Sequence, residues 1–372
     1  MTVFYRFDKF YMSISTLFER VLTEVIIMLT NRQLLILQVT VDDFIDTAQP
    51  VGSRQLSKKE EVPFSPATIR NEMADLEEMG FLEKTHTSSG RVPSQKGYRY
   101  YVDNMLTPQR ISQNEIKQIR SIFEERKVET EQIIRKSAEI ISELTNYTSI
   151  MLGLDVRKHR VKRFSIVPLS SDSAVAIIVT DSGHVENRLF SIPENFQASD
   201  IERMINLINE RLVGVYLHEL PTMLEAVTLK VLQQNNGRLN HLFGSLNQAM
   251  TIEHEDKVYY GGKLQILNQP EFNDVNKARS IMNWMDHVNQ IPGIFHLDKK
   301  GIQIRIGSEN NDLAMEGCSV ITASYGIGEE QVGSIAIIGP TRMDYRRVVS
   351  LLDVMSSDLS RELSKILHGH QG

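Results

Sequence analysis

The sequence has a single cysteine, Cys318, so no disulfide can join two cysteines of one chain. A redox sensor built from a pair of thiols within one chain is excluded for the same reason. Cys318 stands shortly before Val320 and Ile321 in a run typical of a strand, which predicts a buried structural thiol. The sequence also lacks an apolar stretch long enough to span a bilayer, so we expect a cytoplasmic protein that has no membrane partner.

Residues that would signal catalysis or metal binding are missing as well. The sequence contains no G-x-S-x-G elbow, no P-loop and no H-E-x-x-H motif. Its 10 histidines are scattered, and His241 and His254 lack the close spacing that metal ligands usually show. We therefore expect no cofactor, no metal site and no enzyme. An enzyme that carries an accessory nucleic-acid domain is the least favoured alternative.

Charge is low in total but unevenly distributed. The formal net charge is −6, which argues against a protein that binds polyanions without specificity. Positive charge is nevertheless concentrated between Lys84 and Val102, where no acidic residue occurs. The basic residues of this stretch are Lys84, Arg91, Lys96 and Arg99. Charge segregated in this way leaves a positive surface on a near-neutral domain, which favours a nucleic-acid partner.

The stretch before this basic segment predicts two helices joined by a turn. Pro63 separates a short first helix from the second, which begins at Ser65 and Pro66 because serine caps a helix and proline suits its first turn. Gly80 marks the end of the second helix. Its apolar positions recur at helical spacing and predict one buried stripe, formed by Ile69, Met73 and Leu76.

The opposite face of the second helix carries only small or hydrogen-bonding side chains. They are Ala67, Thr68, Arg70, Asn71 and Ala74. So slim and polar a face suits the major groove of DNA, and two helices joined by a turn are the arrangement of helix-turn-helix proteins. The strand-like residues at 81–84 and the glycine at position 90 add a short β-ribbon, or wing, beside the sugar-phosphate backbone. An ordinary solvated helical face remains the alternative.

Four strings of the sequence resemble the heat-inducible transcription repressor HrcA family. They are PVGSRQL at 50–56, SPATIRNEMADLEEMGFLEKTHTSSGRVPSQKGYRYYVDNML at 65–106, NYTS at 146–149 and IGPTRMDYRRV at 338–348. The resemblance covers nearly all of residues 28–367. It implies an α+β multidomain protein with an N-terminal winged helix-turn-helix. A GAF-like α+β domain follows, interrupted by a mostly helical inserted dimerising domain.

The resemblance also implies a function. A member of this family represses class I chaperone operons, such as those for the DnaK and GroE systems, by binding a CIRCE-type inverted-repeat operator as a homodimer. The GroE chaperonin would help to maintain the active repressor, and heat shock would end repression. The alternative is a ligand-sensing DNA-binding regulator that uses its GAF-like domain, for which analogy of fold is the only support.

The order of helix-like and strand-like segments predicts six segments, among which the GAF-like and dimerising assignments are what the resemblance implies. They are an N-terminal extension at 1–27, the winged helix-turn-helix at 28–106, a linker helix at 107–146, the first part of the GAF-like domain at 147–192, the inserted dimerising domain at 193–292, and the second part of the GAF-like domain at 293–372. Met28 directly precedes a capping box formed by Thr30 and Gln33. We therefore expect translation to begin at Met28, with a native helical extension as the alternative.

The residues expected to contact DNA lie in the two helices, the ribbon and the segment after it. They are Ser53, Arg54, Ser65, Ala67, Thr68, Arg70, Asn71, Lys84, His86, Ser88, Ser89, Arg91, Lys96 and Arg99. Arg70 suits the edge of a guanine and Asn71 that of an adenine. The small residues at the start of the second helix allow a close approach to DNA. The remaining side chains are expected to bind the sugar-phosphate backbone of DNA.

Overall fold

The computed structural model describes residues 29–85, 90–124, 130–153, 159–181, 183–192, 197–233, 237–250, 258–287, 301–327 and 330–368. The predictions for residues 1–27 lie outside this range. The chain divides into two compact units, Met1–Thr107 and Pro108–Gly372. Each unit is described by itself. In the described part of the chain, no helix is both long enough and apolar enough to cross a membrane.

Within its described residues, the first unit contains four helices and a two-stranded ribbon. The helices are α1 (Asn31–Thr47), α2 (Ser53–Leu56), α3 (Pro66–Glu78) and α4 (Gln95–Asn104), and the strands are β1 (Leu82–Lys84) and β2 (Arg91–Pro93). The predicted capping box at the start of α1 is present, because the side chains of Thr30 and Gln33 each accept the other residue's backbone N–H. The predicted capping box is confirmed.

The core of the first unit lies between α1 and α3. Ile69, Met73 and Leu76 are at most 3% exposed, so the predicted stripe of α3 is confirmed. Across from it, Ile36 and Leu37 of α1 are fully buried. Each such side chain contributes about 1.5–3 kcal/mol on burial, which is what fixes α3 against α1.

The ribbon is joined to the chain that precedes α2. β1 and β2 are antiparallel, with Leu82 opposite Pro93 and Lys84 opposite Arg91. Val51 and Arg91 exchange two backbone hydrogen bonds of 2.8 and 2.9 Å, so the chain before α2 continues the ribbon. Only glycine fits at position 90, because a Cβ there would lie 2.8 Å from the carbonyl carbon of Pro50.

The second unit is built on a five-stranded antiparallel sheet. The helices of this unit are α5 (Gln113–Ser121), α6 (Thr130–Thr145), α7 (Ala198–Leu212), α8 (Leu220–Gln233), α9 (Gly237–Met250), α10 (Val275–Asp286) and α11 (Tyr345–His368). The strands are β3 (Thr148–Leu152), β4 (Val161–Pro168), β5 (Ser173–Thr180), β6 (Val185–Ser191), β7 (Val258–Gly261), β8 (Ile302–Ile306), β9 (Cys318–Ile327) and β10 (Glu330–Pro340). The five-stranded sheet has the order β7-β3-β10-β9-β8.

Helices cover both faces of this sheet. Alternation along β9 sends Cys318 and Val320 into a core that includes Trp284 of α10. Ser319, between them, points the other way and lies 2.7 Å from the Tyr345 hydroxyl of α11. On this second face, Ser149 of β3 donates to a backbone carbonyl of α6. The arrangement is a three-layer α+β domain.

Strands β4, β5 and β6 form a separate antiparallel sheet. The domain boundaries that result differ from the predicted ones. Their inner side chains share a core with α7, α8 and α9. The prediction placed 161–192 in the GAF-like part and 193–292 in the insertion. In the structure the insertion comprises both β4–β6 and α7–α9, and it is therefore not mostly helical. β7 and α10 belong instead to the five-stranded domain, because β7 pairs with β3.

The predicted linker helix at 107–146 also differs from the structure. α5 ends at Ser121, and the next described helix begins at Thr130. Ile133, Ile134 and Ala138 of α6 are buried against the rest of the second unit. The segment therefore belongs to the core of this unit. Residues 125–129, between the two helices in the sequence, lie outside the described residues.

Candidate nucleic-acid interface

The start of α3 is held by the cap that the sequence predicts. The Ser65 hydroxyl accepts the backbone N–H of Thr68 at 3.1 Å and lies 2.9 Å from the Thr68 hydroxyl. Pro66 occupies the first turn, where no backbone N–H is needed. The cap fixes the direction of the helix and leaves Ser65 and Ala67 exposed.

The outer face of α3 is open to solvent. Arg70 and Asn71 are exposed, and their side chains make no hydrogen bond or ion pair with another described residue. Thr68 is half-buried at the edge of this face. An arginine and an asparagine free of internal partners can offer all their hydrogen-bonding groups to a ligand. The structure thus presents the two predicted base-contacting residues on one accessible helix face.

α2 is tied to α1 through one carboxylate. Asp43, which is buried, pairs with the Lys59 ammonium at 2.8 Å and accepts a hydrogen bond from the Gln55 side chain. These contacts fix the turn between α2 and α3. Ser53 is half-buried at the first position of α2, and Arg54 beside it is exposed, without a described side-chain partner.

The basic residues of the ribbon differ in how they are held. Lys84 is exposed on β1. Arg91 is half-buried, and its Nε and Nη2 atoms both lie 2.7 Å from one Glu77 oxygen. The contact holds the guanidinium against α3 and offsets part of its charge. His86, Ser88 and Ser89 lie outside the described residues.

The last two candidates are engaged within the first unit. The Lys96 ammonium donates to the Met79 carbonyl at 2.8 Å and lies 4.5 Å from the centre of the Phe81 ring. Lysines that bind the last carbonyls of a helix stabilise its end. Arg99 pairs with Asp103 one turn later on α4, at 3.1 Å. Lys96 therefore has a structural role that the charge pattern did not reveal.

Comparisons with known proteins identify the family. A family model described as the HrcA protein C-terminal domain matches residues 131–349. A heat-inducible transcription repressor HrcA of Lysinibacillus sphaericus is 62% identical over 339 residues, which are 91% of this chain and 99% of that protein. The chain belongs to the HrcA family. A protein of the same name from Bacillus pumilus (strain SAFR-032) is 53% identical over 340 residues, with 91% of this chain and 99% of that protein covered.

A solved structure shares the fold of this HrcA-family chain. It is a crystal structure described as that of a hypothetical protein, with a TM-score of 0.65 and 21% sequence identity. The match covers 91% of this chain and 99% of that one. At this identity the likeness concerns the fold alone.

The only cysteine of the HrcA-family chain is a core residue, as predicted. Cys318 is fully buried, and burial raises the pKa of its thiol to about 12. At neutral pH the thiol is protonated and a poor nucleophile. Within the described residues, no group of three His, Cys, Asp or Glu side chains is placed to hold a metal ion.

Sequence reasoning missed one residue beside the candidate interface. Arg32 of α1 pairs with Glu72 of α3 at 3.0 Å, although 40 positions separate them. No local pattern marks such a pair, because it depends on the packing of α1 against α3. As a result, two of the acids on α3, Glu72 and Glu77, each hold an arginine.

Proposed function

We propose that this protein is a heat-inducible transcription repressor whose first unit is a winged helix-turn-helix that binds duplex DNA through α3. Both curated relatives carry that name. The observation that carries the proposal is the outer face of α3, where Arg70 and Asn71 are exposed and have no described partner. A regulator of this kind is not an enzyme.

The shape of α3 suits the major groove. The groove is about 12 Å wide and admits one α-helix. α3 has 13 residues, and the side chains near its start are small. Ser65, Ala67 and Thr68 therefore allow the helix end to approach a phosphate or a thymine methyl. Arg70 then reaches a guanine and Asn71 an adenine, the pairings that their donor patterns favour.

The ribbon and its neighbours supply the backbone contacts of the proposed complex. Lys84 and Arg91 lie on β1 and β2, and Arg54 is exposed on α2. We assign phosphate contacts to these residues, to Ser53, and to His86, Ser88 and Ser89, which lie between β1 and β2 in the sequence. Arg99 and Lys96 are the weaker candidates, because both already have partners within the unit.

We further propose that the repressor works as a homodimer on an inverted repeat, because a two-fold dimer places one α3 in each half-site. The outer face of the β4–β6 sheet is the surface to which we assign contact with the second copy. Val167, Val175 and Leu189 are neighbours across the three strands on this face. Val167 is 44% and Leu189 66% exposed. A second copy covering this face would remove its apolar side chains from water.

The five-stranded domain, with helices on both faces, supports the GAF-like assignment. We propose that the operator is of the CIRCE type, in front of chaperone operons such as those for DnaK and GroE. GroE chaperonin would maintain the active repressor until heat diverts it. A change of about 1–2 kcal/mol in stability shifts the folded-to-unfolded ratio 5- to 30-fold, so a marginally stable fold is a sufficient thermal switch. No observation favours the ligand-sensing alternative.

The test is a comparison of two DNA duplexes. Purified full-length protein is titrated onto an inverted-repeat duplex from upstream of a chaperone operon, and onto a duplex with scrambled half-sites. Fluorescence anisotropy gives both affinities, and a footprint locates the contacts. We expect two protected half-sites and binding at least about 10³-fold tighter to the operator. Equal affinity for the two duplexes would refute the proposal.

A further inference from the structure

Arg32 of α1 is held beside α3 by two contacts. Its Nη1 atom lies 3.0 Å from a Glu72 oxygen, and its guanidinium carbon lies 5.2 Å from the centre of the Phe64 ring. The Arg32 side chain is 49% exposed, whereas that of Glu72 is 15% exposed. The carboxylate is thus covered while the guanidinium keeps a free side toward solvent. An arginine held in this way loses less conformational freedom when it binds an anion.

The position of Glu72 on α3 relates Arg32 to the proposed DNA-binding face. Successive residues of a helix are about 100° apart, so Glu72 and Glu77 lie on opposite flanks of the face that carries Asn71. Glu77 holds Arg91 of the ribbon. Glu72 holds Arg32 on the flank away from the ribbon. The exposed face of α3 is therefore bordered on each side by an arginine that one of its own glutamates holds.

An open groove runs along the Arg32 flank. Its volume is about 620 Å³, and it is lined by Thr30, Asn31, Arg32, Leu35, Phe64 and Glu72. A helix that lies in the major groove has a sugar-phosphate strand on each side. The ribbon accounts for one strand, and the groove beside Arg32 leaves room for the other.

We propose that Arg32 binds a DNA backbone phosphate on the side of α3 opposite the ribbon, and that Glu72 is the positioning residue that aims it. The inference rests on the proposed function. It assigns to α1 a contact that complements those of the ribbon. It also gives the acidic Glu72 a favourable role at a surface that meets a polyanion.

The alternative is that Glu72 acts only through its own charge, and the two accounts predict opposite signs. A bare carboxylate near DNA repels phosphate, so Glu72→Gln should then tighten binding. If Glu72 aims Arg32, the same substitution should weaken binding. Glu78→Gln is the matched control, because Glu78 is an exposed acid of the same helix that has no described ion pair.

The experiment measures the affinity of full-length variants for the operator and for a scrambled duplex over a range of salt concentrations. We expect Arg32→Ala to weaken both duplexes by a similar factor, about 5- to 20-fold per half-site for the loss of one charge-assisted contact. The slope of log affinity against log salt should become shallower by about 0.9 for each half-site. Lys117→Ala, an exposed lysine of α5 in the second unit, controls for the change in net charge.

Glu72→Gln should weaken binding two- to threefold, roughly, and should have no effect once Arg32 is alanine, because a positioning residue acts only through its partner. Arg32→Lys should restore the salt slope but only part of the affinity. If hydrogen exchange shows that Arg32→Ala destabilises α1 or α3, the Arg32→Gln variant replaces it in the comparison. A salt slope equal to that of the wild type in Arg32→Ala and Arg32→Gln, or tightening by Glu72→Gln as by Glu78→Gln, would overturn the inference. Failure of the wild type to prefer the operator would instead overturn the proposed function.

Discussion

Replacing Lys96 by alanine separates a structural role from a DNA-binding role. The substitution removes a 2.8 Å hydrogen bond to the Met79 carbonyl and a contact with the Phe81 ring. A hydrogen bond of this kind contributes about 1 kcal/mol net. A cation–π contact at an exposed site adds about 0.5–1 kcal/mol. We therefore expect the end of α3 to lose about 1.5–2 kcal/mol of local stability.

Hydrogen exchange measures this loss where it occurs. Unfolding of the whole chain would mix two units, and its only tryptophan, Trp284, lies in the second. Exchange of the backbone amides of Gly80 and Phe81, which donate to carbonyls of α3, reports opening of the helix end. A loss of 1.5–2 kcal/mol should speed their exchange about 10- to 30-fold when closing is faster than exchange.

Lys84→Ala is the matched control for Lys96→Ala. Lys84 is an exposed lysine of the same unit with no described partner, so we expect its substitution to leave exchange at the end of α3 unchanged. Both variants should weaken binding to all DNA sequences alike if both lysines contact phosphate. Exchange rates of the Lys96 variant equal to those of the wild type would show that the two contacts do not stabilise the helix end.

The remaining predictions concern Arg70, Gly97 and Leu189. Arg70→Ala should cost about 1–3 kcal/mol of binding to the operator in band shifts and little to scrambled DNA, whereas equal binding by variant and wild type would remove Arg70 from the interface. Gly97→Ala should unfold the first unit and abolish DNA binding, because its Cβ would lie 2.1 Å from the Phe81 carbonyl oxygen; a normal circular dichroism spectrum with full binding would contradict this. Leu189→Glu should yield monomers in sedimentation experiments, while Leu313→Glu, a control at a residue 85% exposed, should not; a dimeric Leu189 variant would place the interface elsewhere.

The prediction of α3 in the first unit rests on local signals. The bounds of α3 follow from Ser65 and Pro66 at its start and from the spacing of Ile69 and Met73 within it. These features act over one or two helical turns, so a sequence displays them directly. The cap formed by Ser65 and the burial of Ile69 and Met73 confirm the prediction.

Contacts between distant segments could not be predicted in the same way. The turn between β4 and β5 indicates that these strands pair, but nothing local shows that β3 pairs with β7 and β10 instead of with β4. The boundaries of the insertion were missed for that reason. The contact of Lys96 with the end of α3 depends on tertiary packing as well.

The most direct test of the central claim substitutes single atoms in the operator. Replacing each guanine in turn by 7-deazaguanine removes the N7 acceptor that an arginine would contact. The wild type should lose affinity at one guanine in each half-site, and the Arg70→Ala variant should be insensitive at that guanine. Equal sensitivity of the two proteins at every guanine would contradict the claim that α3 reads base edges through Arg70.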